Sequence, residues 1–172
     1  MRRALACGVL LAAAGLAPAA AVAQAAEAYD FEAAGGAIAA VRMHEGAADG
    51  IAEYCKAQVP TTAREWDEAV EAWDVRHAPW RVATDVVRTE AFAKLREGGE
   101  DPALLEAMLG PIVKDFVDST VGEVTALAET AGAETVCASA YQLMTAGRFD
   151  VDKNEYTPAI DMLRAHLPKS SP

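Results

Sequence analysis

The chain has 172 residues, of which 26 are acidic and 15 are basic, so its formal net charge is −11. An acidic surface repels phosphate groups, which argues against nucleic acid and anionic lipid headgroups as partners. Aromatic residues make up only 6% of the chain, and its apolar residues recur at helical spacing instead of alternating. We therefore predict an all-α protein, an irregular bundle of five to six helices with one inter-helix disulfide.

Residues 1–23 have the three parts of a secretory signal peptide. A cationic start at residues 1–3 precedes the apolar residues 4–16, and residues 21–23 form an A-x-A cleavage site. The apolar stretch is too short to span a membrane. We expect a periplasmic or secreted protein, cleaved near Ala23, without a membrane span. Loss of Arg2 and Arg3 lowers Lys+Arg from 15 to 13 and leaves 26 acidic residues, which makes the mature net charge −13.

The mature chain is predicted to fold as one domain. Residues 24–36 are rich in alanine and glycine and are expected to form a flexible leader. Residues 37–168 carry the periodic apolar pattern of a single helical domain, and residues 169–172 are expected to be a disordered tail. A first helix is predicted over residues 37–58, weakened by Gly46 and Gly50 and stopped by Pro60.

The second helical segment opens with Thr62 followed by Glu65 three residues later, which is the pattern of a capping box. This helix carries a tryptophan at position 66 and another at position 73. Pro79 is expected either to kink it or to start the next helix, which would end near residue 97.

A third segment begins at Asp101, which can cap a helix that has Pro102 in its first turn. Its apolar residues come in pairs that predict a wide buried stripe, namely Leu104/Leu105, Met108/Leu109, Ile112/Val113 and Phe116/Val117. A kink is expected at Pro111, and Gly132 ends the stripe. Further helices are predicted over residues 133–146 and from residue 157 onward, joined by a polar loop at 149–155.

Cys55 and Cys137 are the only cysteines that remain after cleavage, and both lie on apolar helical faces. Disulfides persist in exported proteins, so we predict a bond between them. It would close a loop of about 82 residues and stabilise the fold by roughly 4.5 kcal/mol in the chain-entropy model. The alternatives are two free thiols, or one reactive thiol with a histidine base.

Trp66, Trp73 and Trp80 are spaced by seven residues and would share one face of a continuous helix. We expect Trp66 and Trp73 in the core, with Trp80 partly exposed beyond Pro79. A binding groove lined by these rings is the alternative.

The candidate binding residues are Trp80, Arg76 and His77. Arg76 could hold a carboxylate, and His77 could act as a general base. The structural alternative is that Arg76 pairs with an acidic neighbour while His77 caps carbonyls or bridges to another helix. No catalytic residue is assigned.

No metal site or cofactor is predicted. His44-Glu45 lacks the second histidine of a zinc motif. Residues 150–154 resemble the start of an EF-hand loop, but Glu155 stands where the loop needs glycine.

The chain resembles small exported helical proteins of Gram-negative bacteria that carry no assigned function. The resemblance rests on Cys55 followed by Pro60, on Trp73-x-x-Arg76-His77, on Cys137, and on the Gly-Arg-Phe-Asp segment at 147–150. It spans roughly residues 51–152. It implies a helical, disulfide-linked periplasmic protein and no particular activity. Similar proteins often have asparagine at the position of His77, which argues against catalysis by this imidazole.

The leading hypothesis is a non-enzymatic periplasmic binding or protein-interaction module, whose partner would be another periplasmic protein. One alternative is a small hydrolase that uses His77 and Arg76. Another is an acidic inhibitor of a basic exported enzyme such as lysozyme, suggested by the charge of the chain.

Overall fold

The computed structural model describes residues 29–153 and 156–169, and the regular elements in these ranges are all helical. The helices are α1 (Phe31–Gln58), α2 (Ala63–Glu97), α3 (Ala103–Ala131), α4 (Ala133–Thr145) and α5 (Thr157–Ala165). Short 3-10 turns lie at Pro60–Thr62 and Val151–Lys153. Helix α1 is central, because it contacts each of the other four helices. The prediction of an all-α bundle is confirmed, whereas the signal peptide, its cleavage site near Ala23 and residues 170–172 lie outside the described residues.

Helix α1 begins earlier than predicted, at Phe31. The expectation of a flexible leader over residues 24–36 is therefore wrong for its last six residues, which form the start of this helix. The carboxylate of Asp30 caps the helix by accepting from the amide of Ala33 at 2.8 Å. Gly36 has a packing role, since a Cβ at this position would lie 2.5 Å from the ring of Tyr156. Burial of this end of α1 thus offsets the low helix propensity of its glycines.

The two glycines in the middle of α1 mark a close approach of α3. A Cβ at Gly46 would lie 2.5 Å from Val117, and one at Gly50 would lie 2.7 Å from Val121. The helix runs through both positions without a break. Gly46 and Gly50 lower the helix propensity of α1, and they are also the positions at which α3 closely approaches it.

The predicted capping box at Thr62 does not form. No side chain caps the start of α2, and the Thr62 hydroxyl instead donates to the carbonyl of Val59 at 2.9 Å. The 3-10 turn at Pro60–Thr62 leads directly into α2. The backbone of Thr62 (φ −103°, ψ 7°) is therefore not extended as in a typical N-cap residue.

Both internal prolines lie inside continuous helices. Pro79 does not divide α2, which extends over 35 residues, and Pro111 does not interrupt α3. Each proline is exposed, so solvent can compensate for the backbone hydrogen bond that the ring cannot donate. Helix α2 ends at Glu97, as predicted.

The apolar stripe of α3 is only half buried, which corrects the prediction of a wide buried stripe. The second residue of each apolar pair packs inward: Leu109 is buried, and Leu105, Val113 and Val117 are half-buried. The first residues of the pairs are 41–66% exposed and form a row that we term the α3 ridge: Leu104, Met108, Ile112 and Phe116. Helix α1 covers one row of α3, and the ridge beside it faces outward.

The interior divides into two apolar clusters along α1. The first core joins the N-terminal half of α1 to the C-terminal half of α2 and to α5, and it contains Ile38, Val87, Val151 and Leu163. The second core joins the C-terminal half of α1 to the N-terminal half of α2 and to α4, and it contains Ile51, Trp66, Trp73 and Met144. Trp66 and Trp73 are fully buried, which confirms the core prediction for these two residues.

The Cys55–Cys137 pair lies in the second core with its sulfur atoms 2.09 Å apart and its Cα atoms 5.5 Å apart. It links α1 to α4, so the predicted inter-helix disulfide is present. Trp66 packs beside it, edge-on to the ring of Tyr141 at 5.7 Å. The bond joins the centre of the bundle to a helix of only 13 residues.

Candidate functional site

The predicted site residues on α2 lie where the two cores meet. His44 occupies the middle of α1, and His77 occupies the middle of α2. The segment after α4 crosses both: Phe149 packs on the second core, and Val151 belongs to the first. We term the polar group gathered here the waist cluster: His44, Trp73, Arg76, His77 and Asp150.

His77 is buried, with 1% of its surface exposed, and both of its ring nitrogens are engaged. The backbone N–H of Val151 donates to Nε2 at 3.1 Å. Because an amide nitrogen can only donate, Nε2 must be unprotonated and Nδ1 must carry the hydrogen. Nδ1 then donates to the carbonyl of Trp73 at 2.9 Å. The imidazole also stacks on the Trp73 indole, with ring centroids 3.7 Å apart.

The carbonyl of Phe149 accepts from two side chains, one on α1 and one on α2. Trp73 donates through Nε1 at 3.3 Å. His44 donates through Nδ1 at 2.9 Å, which fixes its tautomer in the same way. Residues 149–151 are therefore held by α1 and α2 together, through three hydrogen bonds that involve the backbone of the segment.

Arg76 adds a charged contact at the edge of this cluster. Its guanidinium donates to the carbonyl of Met144 at 3.1 Å and lies 3.4 Å from Oδ1 of Asp150. The same carboxylate oxygen is 3.8 Å from Nε2 of His77. Trp80 does not join the cluster: it is half-buried and packs against the first core. Two of the three candidate binding residues are therefore brought together, and the third lies apart.

Burial favours the neutral form of both histidines. Burial lowers the pKa of His77, and the neighbouring Arg76 guanidinium acts in the same direction, against the opposing effect of Asp150. Burial also lowers the pKa of His44. A general base needs a free lone pair within reach of substrate, yet the lone pair of His77 points to the Val151 amide. This geometry favours a positioning role, in which the imidazole fixes the segment after α4.

Sequence reasoning paired Arg76 and His77 but missed their partners. In the sequence His44 stands out only as a possible metal ligand, and residues 149–155 are predicted to form a polar loop. Val151 is instead fully buried. One signal was available, since Trp73-x-x-Arg76-His77 and the Gly-Arg-Phe-Asp segment at 147–150 both carry the resemblance described above. In the structure these two segments contact each other.

A second candidate site is an apolar cleft between α1 and α3, with a volume of about 360 Å³. We term it the α1–α3 cleft. Its floor is the small-residue face of α1, and its walls include Met43, Leu109, Ile112 and Tyr156. The hydroxyl of Tyr156 donates to Glu32 at 3.2 Å at one end. Since Ile112 belongs to both, the cleft and the α3 ridge form one continuous apolar surface.

Within residues 29–153 and 156–169, no group of three or more histidine, cysteine, aspartate or glutamate side chains is arranged to hold a metal ion. Over the same residues, no helix is both long and apolar enough to cross a bilayer.

No protein-family model, curated protein or solved structure matches the chain. The resemblance to small exported helical proteins therefore stays a prediction, and functional inference depends on the two sites themselves.

Proposed function

We propose that the protein is an exported, non-enzymatic protein-interaction module, and that it binds through the α3 ridge. Four large apolar side chains in one row are 41–66% exposed on this helix. Scattered apolar side chains are common on protein surfaces, but a contiguous row next to an apolar cleft is typical of an interaction site. This continuous surface is the observation that carries the proposal.

The waist cluster supports the proposal in a different way. Its histidines and Arg76 direct their polar atoms to the backbone and side chain of residues 144–151. These side chains are engaged in holding the bundle together. They thus give more support to a binding scaffold than to the hydrolase alternative.

Export is part of the same proposal. The first 23 residues have the pattern of a signal peptide, and the Cys55–Cys137 pair at bonding distance is compatible with an oxidising compartment. In the periplasm the disulfide could form and persist, and the partner would be another periplasmic protein.

A site-specific photo-cross-linker tests the proposed surface in periplasmic extract. Placed at Met108 on the ridge, it should yield a covalent adduct of discrete mass. The matched control is Val75, which is similarly exposed but lies on α2. Equal yields from the two positions, or no adduct from Met108, would argue against an interaction site on α3.

The inhibitor alternative would use another surface, a cleft between α1 and α2. Lys56 is the one cation among its lining residues. Five carboxylates also line it, namely Asp49, Glu53, Asp67, Glu71 and Asp74. Binding to a basic enzyme through this cleft would weaken steeply as salt is added. Titration of purified protein with lysozyme at low and high ionic strength distinguishes it from binding through the apolar ridge.

A further inference from the structure

We infer that the α3 ridge and the α1–α3 cleft form the interface of a symmetric homodimer, in which the ridge of each copy fills the cleft of the other. The inference rests on the proposed function, because both use the ridge. It goes further by naming the partner as a second copy of this chain.

Self-complementarity is the first argument. A two-fold axis brings the same patch of both copies face to face, so a self-complementary patch needs a projection and a recess side by side. Ile112 lies on the ridge and also forms a wall of the cleft. Helix α3 therefore presents the projection immediately beside the recess. Two copies related by a two-fold axis would each insert apolar side chains and each receive them.

The shape of the cleft suits side chains from a helix. Its floor consists of Gly35, Gly36, Ala39 and Ala40 on α1. Small residues at these positions leave the depth that a neighbouring ridge needs, in the way that ridges of one helix pack into grooves of another. A Cβ at Gly35 would contact Leu105 and Leu109 at 3.9 Å, and one at Gly36 would lie 2.5 Å from the ring of Tyr156, so α3 and Tyr156 bound the recess above these glycines.

The ridge supplies up to about half of the area that a standard dimer interface buries. Each ridge side chain is about half exposed, which corresponds to at most roughly 100 Å², since even an aromatic side chain offers about 200 Å². The four together supply at most about 400 Å² per copy, against the ~800 Å² per partner of a standard interface. The exposed parts of Met43, Tyr156 and the cleft rim would contribute to the remainder.

The distribution of charged residues favours this face for contact between two acidic molecules. Over residues 103–117, α3 carries only Glu106, Lys114 and Asp115 as charged residues. Glu106 is neutralised by a bidentate pair with Arg42 at 2.7 and 3.0 Å, and Lys114 pairs with Asp118. Residues 63–74 of α2, by contrast, hold five acids and one arginine. Asp115 on α3 and Glu32 in the cleft are the remaining acids here, so two copies meet less local repulsion at this face than at residues 63–74 of α2.

The net negative charge of both copies still opposes association, and this repulsion determines how the dimer should respond to salt. Both copies are strongly acidic, so added salt should screen their repulsion and strengthen the dimer. A complex held by charge attraction responds to salt in the opposite direction. The salt dependence therefore separates an apolar homodimer from binding to a basic protein.

The experiment is light scattering coupled to size exclusion, with sedimentation equilibrium, on the purified mature protein in 50 and 500 mM NaCl. We expect a dimer that tightens at higher salt. Ile112→Glu should raise the dimer dissociation constant by about 100-fold or more, because the symmetric interface contains the substitution twice. Val82→Glu is the matched control, since Val82 on α2 is 51% exposed and Ile112 is 52% exposed. It adds the same charge and should leave the dimer intact.

Circular dichroism checks that both variants keep the fold, as expected for substitutions at exposed positions. A monomer at ~100 µM in both salts, or a dimer weakened equally by the two variants, overturns the homodimer. If the purified protein is monomeric while Met108 still cross-links a different protein in extract, the homodimer fails and the proposed function stands. If the purified protein forms a dimer that Ile112→Glu leaves intact, that dimer uses another surface and the inferred interface is overturned, while cross-linking from Met108 still decides the proposed function.

Discussion

Replacement of His77 by phenylalanine tests the waist cluster directly. The variant keeps a flat ring that can stack on Trp73, and it removes both ring nitrogens. The buried N–H of Val151 would lose its acceptor, which costs about 1–3 kcal/mol. Loss of the bond from Nδ1 to the Trp73 carbonyl adds about 0.5–1.5 kcal/mol. We therefore expect the free energy of unfolding to fall by roughly 1.5–4.5 kcal/mol.

Urea unfolding at pH 7.5, followed by far-ultraviolet circular dichroism, measures this loss. Arg76→Met is the control, because it keeps His77 and removes the pair with Asp150 and the bond to the Met144 carbonyl. A partly exposed ion pair contributes only ~0–1 kcal/mol, and a hydrogen bond about 0.5–1.5 kcal/mol. The free energy of unfolding of His77→Phe could instead lie within ~0.5 kcal/mol of the wild-type value, which is an uncertainty typical of such comparisons. In that case the hydrogen bonds of His77 do not hold the segment after α4.

The same residue predicts how stability depends on pH. In the folded protein, burial holds the pKa of His77 below its ordinary value of 6.5, so the unfolded chain binds the extra proton first as the pH falls. The contribution of neutral His77 to stability is complete above pH 6.5. It is lost as the pH decreases below that value, until the folded-state pKa is reached. The limiting slope is about 1.4 kcal/mol per pH unit for each histidine.

His44 titrates with the same sign, because burial also lowers its pKa from 6.5. Glu45 acts in the opposite direction and at lower pH, since burial raises its pKa from 4.5. The difference between the wild type and His77→Phe, measured between pH 7.5 and 5.5, isolates His77, because the other titrating groups are common to both proteins. The wild type should lose stability across this range, and His77→Phe should lose less. Equal slopes in the two proteins would mean that His77 does not need to be neutral in the fold.

Five further substitutions, in three tests, probe the packing of the bundle. Cys55→Ser should lower the free energy of unfolding by ~2–5 kcal/mol. Mass spectrometry should find one disulfide in the wild type, and thiols that alkylate without denaturant would contradict the disulfide. Trp73→Ala should cost ~3–5 kcal/mol and Trp80→Ala less, with acrylamide quenching greater at Trp80; free quenching of Trp73 in the folded protein would refute its burial. Gly46→Ala should destabilise by ~1–3 kcal/mol through overpacking, whereas Gly122→Ala, where a Cβ meets nothing within 4 Å, should stabilise by up to ~1 kcal/mol.

Local patterns predicted most of the helices, because periodicity and strong terminators act within a few residues. Gly132 separates α3 from α4, and Thr157 begins α5, as expected. The prediction of tryptophan burial was correct for Trp66 and Trp73, because large rings spaced by seven residues on a helix have few other places to pack. The Cys55–Cys137 pairing followed from counting cysteines, which needs no knowledge of the fold.

The failures share a physical cause, which is that tertiary contacts outweigh local propensity. Gly36 and Gly46 reduce helix propensity, but they permit contacts with Tyr156 and Val117 that a side chain would block. Pro79 is tolerated because it lies on the exposed side of α2. The partners of His77 could not be predicted, because Val151 is 74 residues away along the chain and its amide has no signature in the sequence.

The α3 ridge illustrates a different limit, which concerns how much apolar surface one molecule can cover. Paired apolar residues at every turn define an arc on α3 wider than one neighbouring helix can bury. Helix α1 covers the row that includes Leu109, and α4 packs on α3 as well. Among the described residues, none covers the row that includes Met108 and Ile112, which stay more than half exposed. In the proposed homodimer, the width of this stripe would serve an interface in addition to the core. An apolar arc that exceeds what the fold can bury supports the proposed association, and it makes α3 the helix at which that association should occur.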